Sequence, residues 1–170
     1  KESQSDILNA TVAEQDKFCK ENTEIFKQKE SDALVFMSEA NNLYNKLSVS
    51  ENESDKNKTK NELKLKIEKA KQELVEAYKV KSNVDLIKNT MLAKRLEEMA
   101  SLPDVSTNKQ IAQKYKEDAD NFRKLAEKAK TNAANASDLN EKLSQLKRAL
   151  DYEQLAVKSH ETAIDVLMEN

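Results

Sequence analysis

The chain has no glycine among its 170 residues. Glycine supplies the positive φ angles of the tight turns that join strands, and it lets backbone amides approach the phosphates of a nucleotide. Its absence disfavours strand-rich folds, doubly wound nucleotide-binding folds and glycine-rich phosphate loops. A chain of helices can do without glycine by ending each helix in a polar segment of Asn, Ser or Asp. The sequence therefore predicts an all-α fold.

Cysteine and histidine are almost as scarce, with one of each. A lone Cys19 excludes an internal disulfide, and its place on an apolar helical stripe predicts a buried structural thiol. His160 continues the stripe of Val157 and Ile164, which predicts a partly buried helix residue. Di-iron bundles need a Glu-x-x-His pair on each of two helices, and this chain has only one histidine. We therefore predict no catalytic centre, no metal site and no cofactor, and a protein that is not an enzyme.

The chain also has no large excess of charge of either sign. The 29 basic residues are nearly balanced by 31 acidic ones, which leaves a net charge of −2 and no basic patch for nucleic acid. No apolar run approaches the ~20 residues of a membrane span. The chain begins at Lys1 without a methionine, which we interpret as a mature or trimmed form. Any export signal or lipid anchor is expected upstream of that residue.

Apolar residues recur at helical spacing in four long stretches. These stripes run from Ile7 to Leu47, from Leu63 to Met99, from Ile111 to Ala129 and from Leu139 to Leu167. Short connections make consecutive helices antiparallel neighbours. The sequence predicts one domain over residues 1–170, an elongated antiparallel bundle of four long helices.

Several polar segments leave the number of helices open. Ser31 or Asp32 can cap a new helix at 30–32, and Ser82 with Asp85 resembles a capping box at 82–84, so breaks there give five or six helices. The polar stretch 48–62 is predicted to be a mobile loop followed by a frayed helix start. Candidate N-caps for the last two helices are Asp104, Ser106 or Thr107, and Ser137.

The connections offer the best candidates for binding a partner. "MASLPDVSTN", residues 99–108, contains the only proline, flanked by apolar side chains among Ser, Asp and Thr. A few apolar anchors among polar residues are typical of loops that bind proteins. The other connection, in 48–62, has one apolar anchor. The candidate partner-binding residues are Leu102, Pro103, Asp104, Val105, Val49 and Glu51, and the alternative is that both segments are plain connectors.

The segment Leu34, Val35, Phe36 and Met37 covers most of a helix circumference with apolar side chains. It is either wrapped by neighbouring helices on several sides, with Phe36 buried, or partly exposed as a contact patch.

The lysine- and asparagine-rich, glycine-free helical chain that begins "KESQSDILNATVAEQDKFCKENTEIF" resembles the surface lipoproteins of Borrelia-type spirochaetes, and most of all the factor H-binding proteins of relapsing-fever species. The resemblance implies an outer-surface protein, held to the membrane by a lipidated N-terminal cysteine outside this sequence. It also implies recruitment of the host complement regulator factor H, and in some members plasminogen, for immune evasion and virulence.

Two functions of different classes follow. The first is a surface-exposed binding protein that recruits a host serum protein, with factor H as the first candidate. The alternative is a structural coiled-coil scaffold that associates with itself through an exposed stripe and has no host ligand. The sequence leaves the oligomeric state open.

Overall fold

The computed structural model describes residues 4–103 and 108–169, and all regular structure in these residues is helical. The all-α prediction is confirmed. A short first helix precedes the four long helices that the apolar stripes predict. The helices of the described residues are α1 Gln4–Leu8, α2 Val12–Val49, α3 Glu53–Ala100, α4 Lys109–Asn135 and α5 Leu139–Met168.

The helices α2 and α3 run without interruption, so the predicted breaks near 30–32 and 82–84 are wrong. In α2, Asp32 accepts a hydrogen bond from the Gln28 side chain one turn earlier (2.9 Å) instead of capping a new helix. In α3, Ser82 donates to Glu153 of α5. Asp85 pairs with Lys81 of its own helix. These polar side chains find partners elsewhere, so the helix does not have to end at them.

Of the mobile loop and helix start predicted in 48–62, the loop is much shorter than expected, because only residues 50–52 separate α2 from α3, and the helix start comes at Glu53. The Asn52 side-chain oxygen accepts hydrogen bonds from the backbone N–H groups of Ser54 (2.8 Å) and Asp55 (3.4 Å). The carboxylates of Glu53 and Asp55 lie in the first turn, where the helix dipole favours negative charge. The polar composition that suggested a loop is a helix start.

The predicted N-caps of the last helices need correction. At α5 the cap is Asp138, whose carboxylate accepts from the backbone N–H of Glu141 at 3.3 Å, one residue after the predicted Ser137. α4 begins after Asn108, which makes no side-chain cap. The predicted caps of α4, at 104, 106 and 107, lie outside the described residues.

α3 lies between its two main partners, α2 and α5, and α4 packs along α5. α2 runs antiparallel to α3, since Cys19 meets Val84 while Glu39 meets Lys66. α3 and α5 run parallel, with the same offset of 71 residues in two hydrogen-bonded pairs. Alanines fill the seams between helices and let them approach closely. Those at most 1% exposed are Ala70, Ala77, Ala119, Ala126, Ala149, Ala156 and Ala163.

The α2–α3 hairpin extends past the α4–α5 pair. Continued along the helices, the offset of 71 residues places the first residue of α5 level with about residue 68 of α3. The pairs Cys19–Val84 and Glu39–Lys66 place residue 67 of α3 level with about residue 37 of α2. Residues 37–49 of α2 and 53–67 of α3 therefore project beyond the bundle by roughly 20 Å at 1.5 Å per residue. We call this projection, together with residues 34–36 that lead into it, the arm.

Candidate functional site

The strongest candidate for a binding surface is the corner between α3 and α4. Leu102 follows the last turn of α3, and its backbone N–H donates to the carbonyl of Met99 (3.1 Å). Its side chain remains 52% exposed, and Pro103 beside it is exposed. Ile111 in the first turn of α4 is 51% exposed. Large apolar side chains therefore face solvent at this end of the bundle.

A groove of about 310 Å³ runs beside this corner, between the end of α3 and the start of α4. Its floor is apolar, formed by Leu96 and small alanine side chains. Charged and polar groups form its rim, which is the arrangement of a protein-binding patch with an apolar centre. The lining residues are Leu96, Glu97, Ala100, Ser101, Lys109, Ala112, Gln113 and Lys116.

The corner rests on a rigid base. The Asn108 side-chain amide donates to the backbone carbonyl of Val166 (2.8 Å), which ties the start of α4 to the end of α5. Beneath it, Leu96 of α3 packs with Ala112 of α4 and Leu167 of α5. These contacts hold the start of α4 in place beside the ends of α3 and α5.

The predicted partner-binding residues do not form one site. Leu102 and Pro103 follow the end of α3, whereas Val49 and Glu51 precede its start. The 48 residues of α3 span about 70 Å at 1.5 Å per residue. Asp104 and Val105 lie outside the described residues. The described candidate residues therefore lie on two separate surfaces, the corner and the tip of the arm.

The tip of the arm is exposed and has little apolar surface. Val49 is 78% exposed, and Glu51 is exposed beside it. The turn is held by the N–H of Ser50, which donates to the carbonyl of Leu47 (3.3 Å), and by its hydroxyl, which donates to that of Lys46 (3.0 Å). With Val49 as its single large apolar side chain, the tip offers less to a partner than the corner does.

A buried polar layer, which sequence reasoning missed, crosses the middle of the bundle. Glu153 of α5 is 3% exposed and forms an ion pair with Lys130 of α4. The hydroxyl of Ser82 in α3 donates to the same carboxylate oxygen (2.9 Å). The signal was in the spacing: Glu153 lies three residues after Leu150 and seven after Leu146, at a core position of α5. A charged residue at such a position indicates a partner on another helix.

His160 belongs to this layer and is fully buried, which is deeper than the partial burial that its stripe predicted. The Asn89 side-chain amide donates to the backbone carbonyl of Glu153 (3.2 Å), so its oxygen is left to accept from the Nδ1–H of His160 (2.9 Å). The Nε2 atom of His160 has no hydrogen-bond partner among the described residues. Burial, reinforced by Arg123, lowers the pKa of His160 and keeps the ring neutral.

Burial also raises the pKa of both carboxyls in the layer. Asp85 is fully buried, and desolvation outweighs the Lys81 ammonium that it pairs with at 2.8 Å. Glu153 is shifted in the same direction, against the pull of Lys130. Burial alone would lower the pKa of Lys130, but Glu153 and Glu127 beside it raise it. Of these pairs, Glu153 with Lys130 joins α5 to α4, whereas Asp85 with Lys81 lies within α3.

A second groove, of about 560 Å³, opens beside the polar layer. Lys79, Lys130 and Lys142 are among the residues that line it. Glu127 and Glu153 form ion pairs with Lys130, and so cancel much of the positive charge that an anion would need. As a candidate binding surface, this groove therefore ranks second to the corner.

The remaining residues singled out in the sequence, Cys19 and the segment 34–37, lie outside the groove at the corner and the groove at the polar layer. Cys19 is buried, 3.9 Å from the carbonyl of Val84 and covered by Ile7 of α1, which confirms the predicted structural thiol. Burial raises its pKa and so disfavours the reactive thiolate. Phe36 is half-buried beneath Lys66, whose Nζ lies 5.6 Å from the ring centre. Of the two predictions for 34–37, partial exposure is confirmed.

Comparisons with protein-family models, with curated proteins and with solved structures find no match for the chain. Within the described residues, no group of three or more His, Cys, Asp or Glu side chains is placed to hold a metal ion. In the same part of the chain, no helix combines the length and apolar character needed to cross a membrane.

Proposed function

We propose that this chain is a surface-exposed binding protein that recruits a host serum protein, and that the α3–α4 corner makes the contact. The observation that carries the proposal is the pair of half-exposed apolar side chains, Leu102 and Ile111, beside the groove of about 310 Å³. A rigid base with apolar anchors and a charged rim is suited to a protein partner.

The resemblance to spirochaete surface lipoproteins supplies the identity of the partner. Factor H is the first candidate and plasminogen the second, with the chain displayed on the outer membrane by a lipid anchor upstream of this sequence. The corner supports a contact with a folded protein, since a shallow rimmed groove fits a protein surface better than an enclosed small molecule.

The experiment is capture from human serum on immobilised chain, followed by identification of the bound proteins. We expect factor H to be enriched over a column that carries an unrelated helical bundle of similar charge. A column that retains no serum protein above that control would overturn recruitment. Retention of a different serum protein would replace factor H as the partner.

A further inference from the structure

The outer surface of α2 in the arm almost lacks charge. Residues 34–49 read "LVFMSEANNLYNKLSV", with two charged residues, the exposed Lys46 and Glu39, whose half-exposed side chain pairs with Lys66 of α3. In the chain as a whole, 35% of the residues are charged. Depletion of charge on an exposed face is a property of protein interfaces.

Five residues of this segment share one face of the helix. Spacings of three and four residues place Leu34, Met37, Asn41, Tyr44 and Ser48 in line. Leu34 is 70% exposed, Tyr44 60% and Met37 44%. We call this line the α2 stripe. The stripe runs from about the level at which α5 begins to the tip of α2.

The arm has a thin core of its own. Among its described residues, only Ala40 of α2 and Thr59 of α3 are buried. The larger apolar side chains Phe36, Leu43, Leu47, Leu63 and Ile67 are only half-buried. Helices in water depend on burying an apolar face, and the arm exposes large apolar side chains while its own core stays thin. A partner along the stripe would cover those side chains.

The charges of the arm favour a second copy of α2 as that partner. The α3 side of the arm is dense in charge of both signs, with Lys58, Lys60 and Lys64 beside Glu53, Asp55 and Glu62 in its first turns. An uncharged stripe packed against such a surface would strip water from these charged groups without pairing them. The same stripe on another copy carries no charge, so it packs without that cost.

We propose that two copies of the chain pair through their α2 stripes, antiparallel and about a two-fold axis at Asn41. A two-fold interface needs a surface that complements itself. In this register Asn41 faces Asn41 of the second copy and the two amides can bond to each other. Met37 faces Tyr44, a favourable contact of sulfur with an aromatic ring. Leu34 faces Ser48, so the tip of each arm reaches the base of the other.

This association goes beyond the proposed recruitment, because the stripe lies on the arm and the corner lies at the far end of α3. Sedimentation velocity from micromolar to millimolar concentrations tests it. We expect a monomer–dimer equilibrium for the natural chain. Two double variants, Met37→Lys with Tyr44→Lys and Met37→Glu with Tyr44→Glu, place like charges opposite each other in a homodimer. Each is expected to raise the dimer Kd by at least tenfold.

Mixing the two double variants provides the decisive experiment, because lysine of one copy then faces glutamate of the other. We expect the mixture to form a heterodimer that neither variant forms alone. Leu125→Lys with Leu155→Lys is the matched control, since these exposed side chains of α4 and α5 are far from the stripe. It should leave the dimer unchanged. Circular dichroism verifies that every variant remains helical.

The two-fold axis is tested with a disulfide. Asn41→Cys in a Cys19→Ala background, oxidised with oxidised glutathione, should give a covalent dimer. Asn42→Cys, one step around the helix, should not. A monomer at all concentrations, a dimer that survives both charged variants, or a mixture that stays monomeric would each overturn the proposal.

Discussion

The buried polar layer is where individual residues set the behaviour of this protein. Asp85 of α3 and His160 of α5 are both fully buried, and burial acts on them in opposite directions. It raises the pKa of the acid and lowers that of the base, because in each case it penalises the charged form. The two groups therefore give the free energy of unfolding opposite dependences on pH.

Asp85→Asn tests the first of these effects. The folded pKa lies above the ordinary 3.8, so the stability that this group contributes is complete below 3.8 and is lost as pH rises through the folded value. Asparagine cannot ionise, so the variant does not lose stability in this way as pH rises. We expect the unfolding free energy of the variant, relative to the natural chain, to rise from acid to neutral pH in urea denaturation. A difference that stays constant would contradict the assignment.

His160→Gln tests the second effect. The folded pKa lies below the ordinary 6.5, so the unfolded chain binds a proton more readily, and stability is lost as pH falls through 6.5 towards the folded value. The natural chain should lose stability in that range and the variant should lose less. The same denaturation series measures it. If the unfolding free energy depends on pH equally in the two proteins, folding does not lower the pKa of His160.

At the scale of elements, the sequence predicts the long helices well because each has to bury an apolar stripe. It fails where a polar residue has two possible partners. Ser82 can cap a helix or bond to another helix, and the choice depends on Glu153, which lies 71 residues away. Local spacing does not contain that information. Asn52 is the opposite case, since it caps α3 within a segment whose composition suggested a loop.

The cap of α3 is open to a direct test with Asn52→Ala. Loss of a side-chain acceptor at an N-cap costs about 1 kcal/mol, since it leaves first-turn N–H groups without their partner. We expect faster hydrogen exchange in the first turn of α3 and a small fall in urea midpoint. Asn57→Ala, at an exposed position inside the same helix, is the matched control and should be neutral or slightly stabilising. If both variants behave alike, Asn52 is not acting as a cap.

At the scale of the whole molecule, α3 is the axis that separates two surfaces. The corner at its end carries Leu102 above a core shared by α3, α4 and α5. The arm around its start carries the α2 stripe and the exposed tip at Val49. The sequence could nominate the connections as binding candidates because they hold the exceptional residues. It could not show that the candidates lie about 70 Å apart, since that separation follows from the unbroken length of α3.

Two functions can thus be placed on one molecule without competing for surface. In our proposals the corner binds a serum protein and the arm binds a second copy. A dimer joined by antiparallel arms would hold its two corners at opposite ends, so each remains open to a partner. Recruitment and self-association, which the sequence presents as alternatives, are compatible in this arrangement.

The most direct test of the central claim is the affinity of purified factor H for variants at the two ends of α3, measured on a biosensor. We expect Leu102→Ser with Ile111→Ser to raise the Kd by at least about tenfold, equivalent to about 1.4 kcal/mol. Val49→Ser with Glu51→Ser, at the tip of the arm, should leave it unchanged. Undiminished binding by the corner variant, or loss confined to the tip variant, would contradict the assignment of the corner as the binding site.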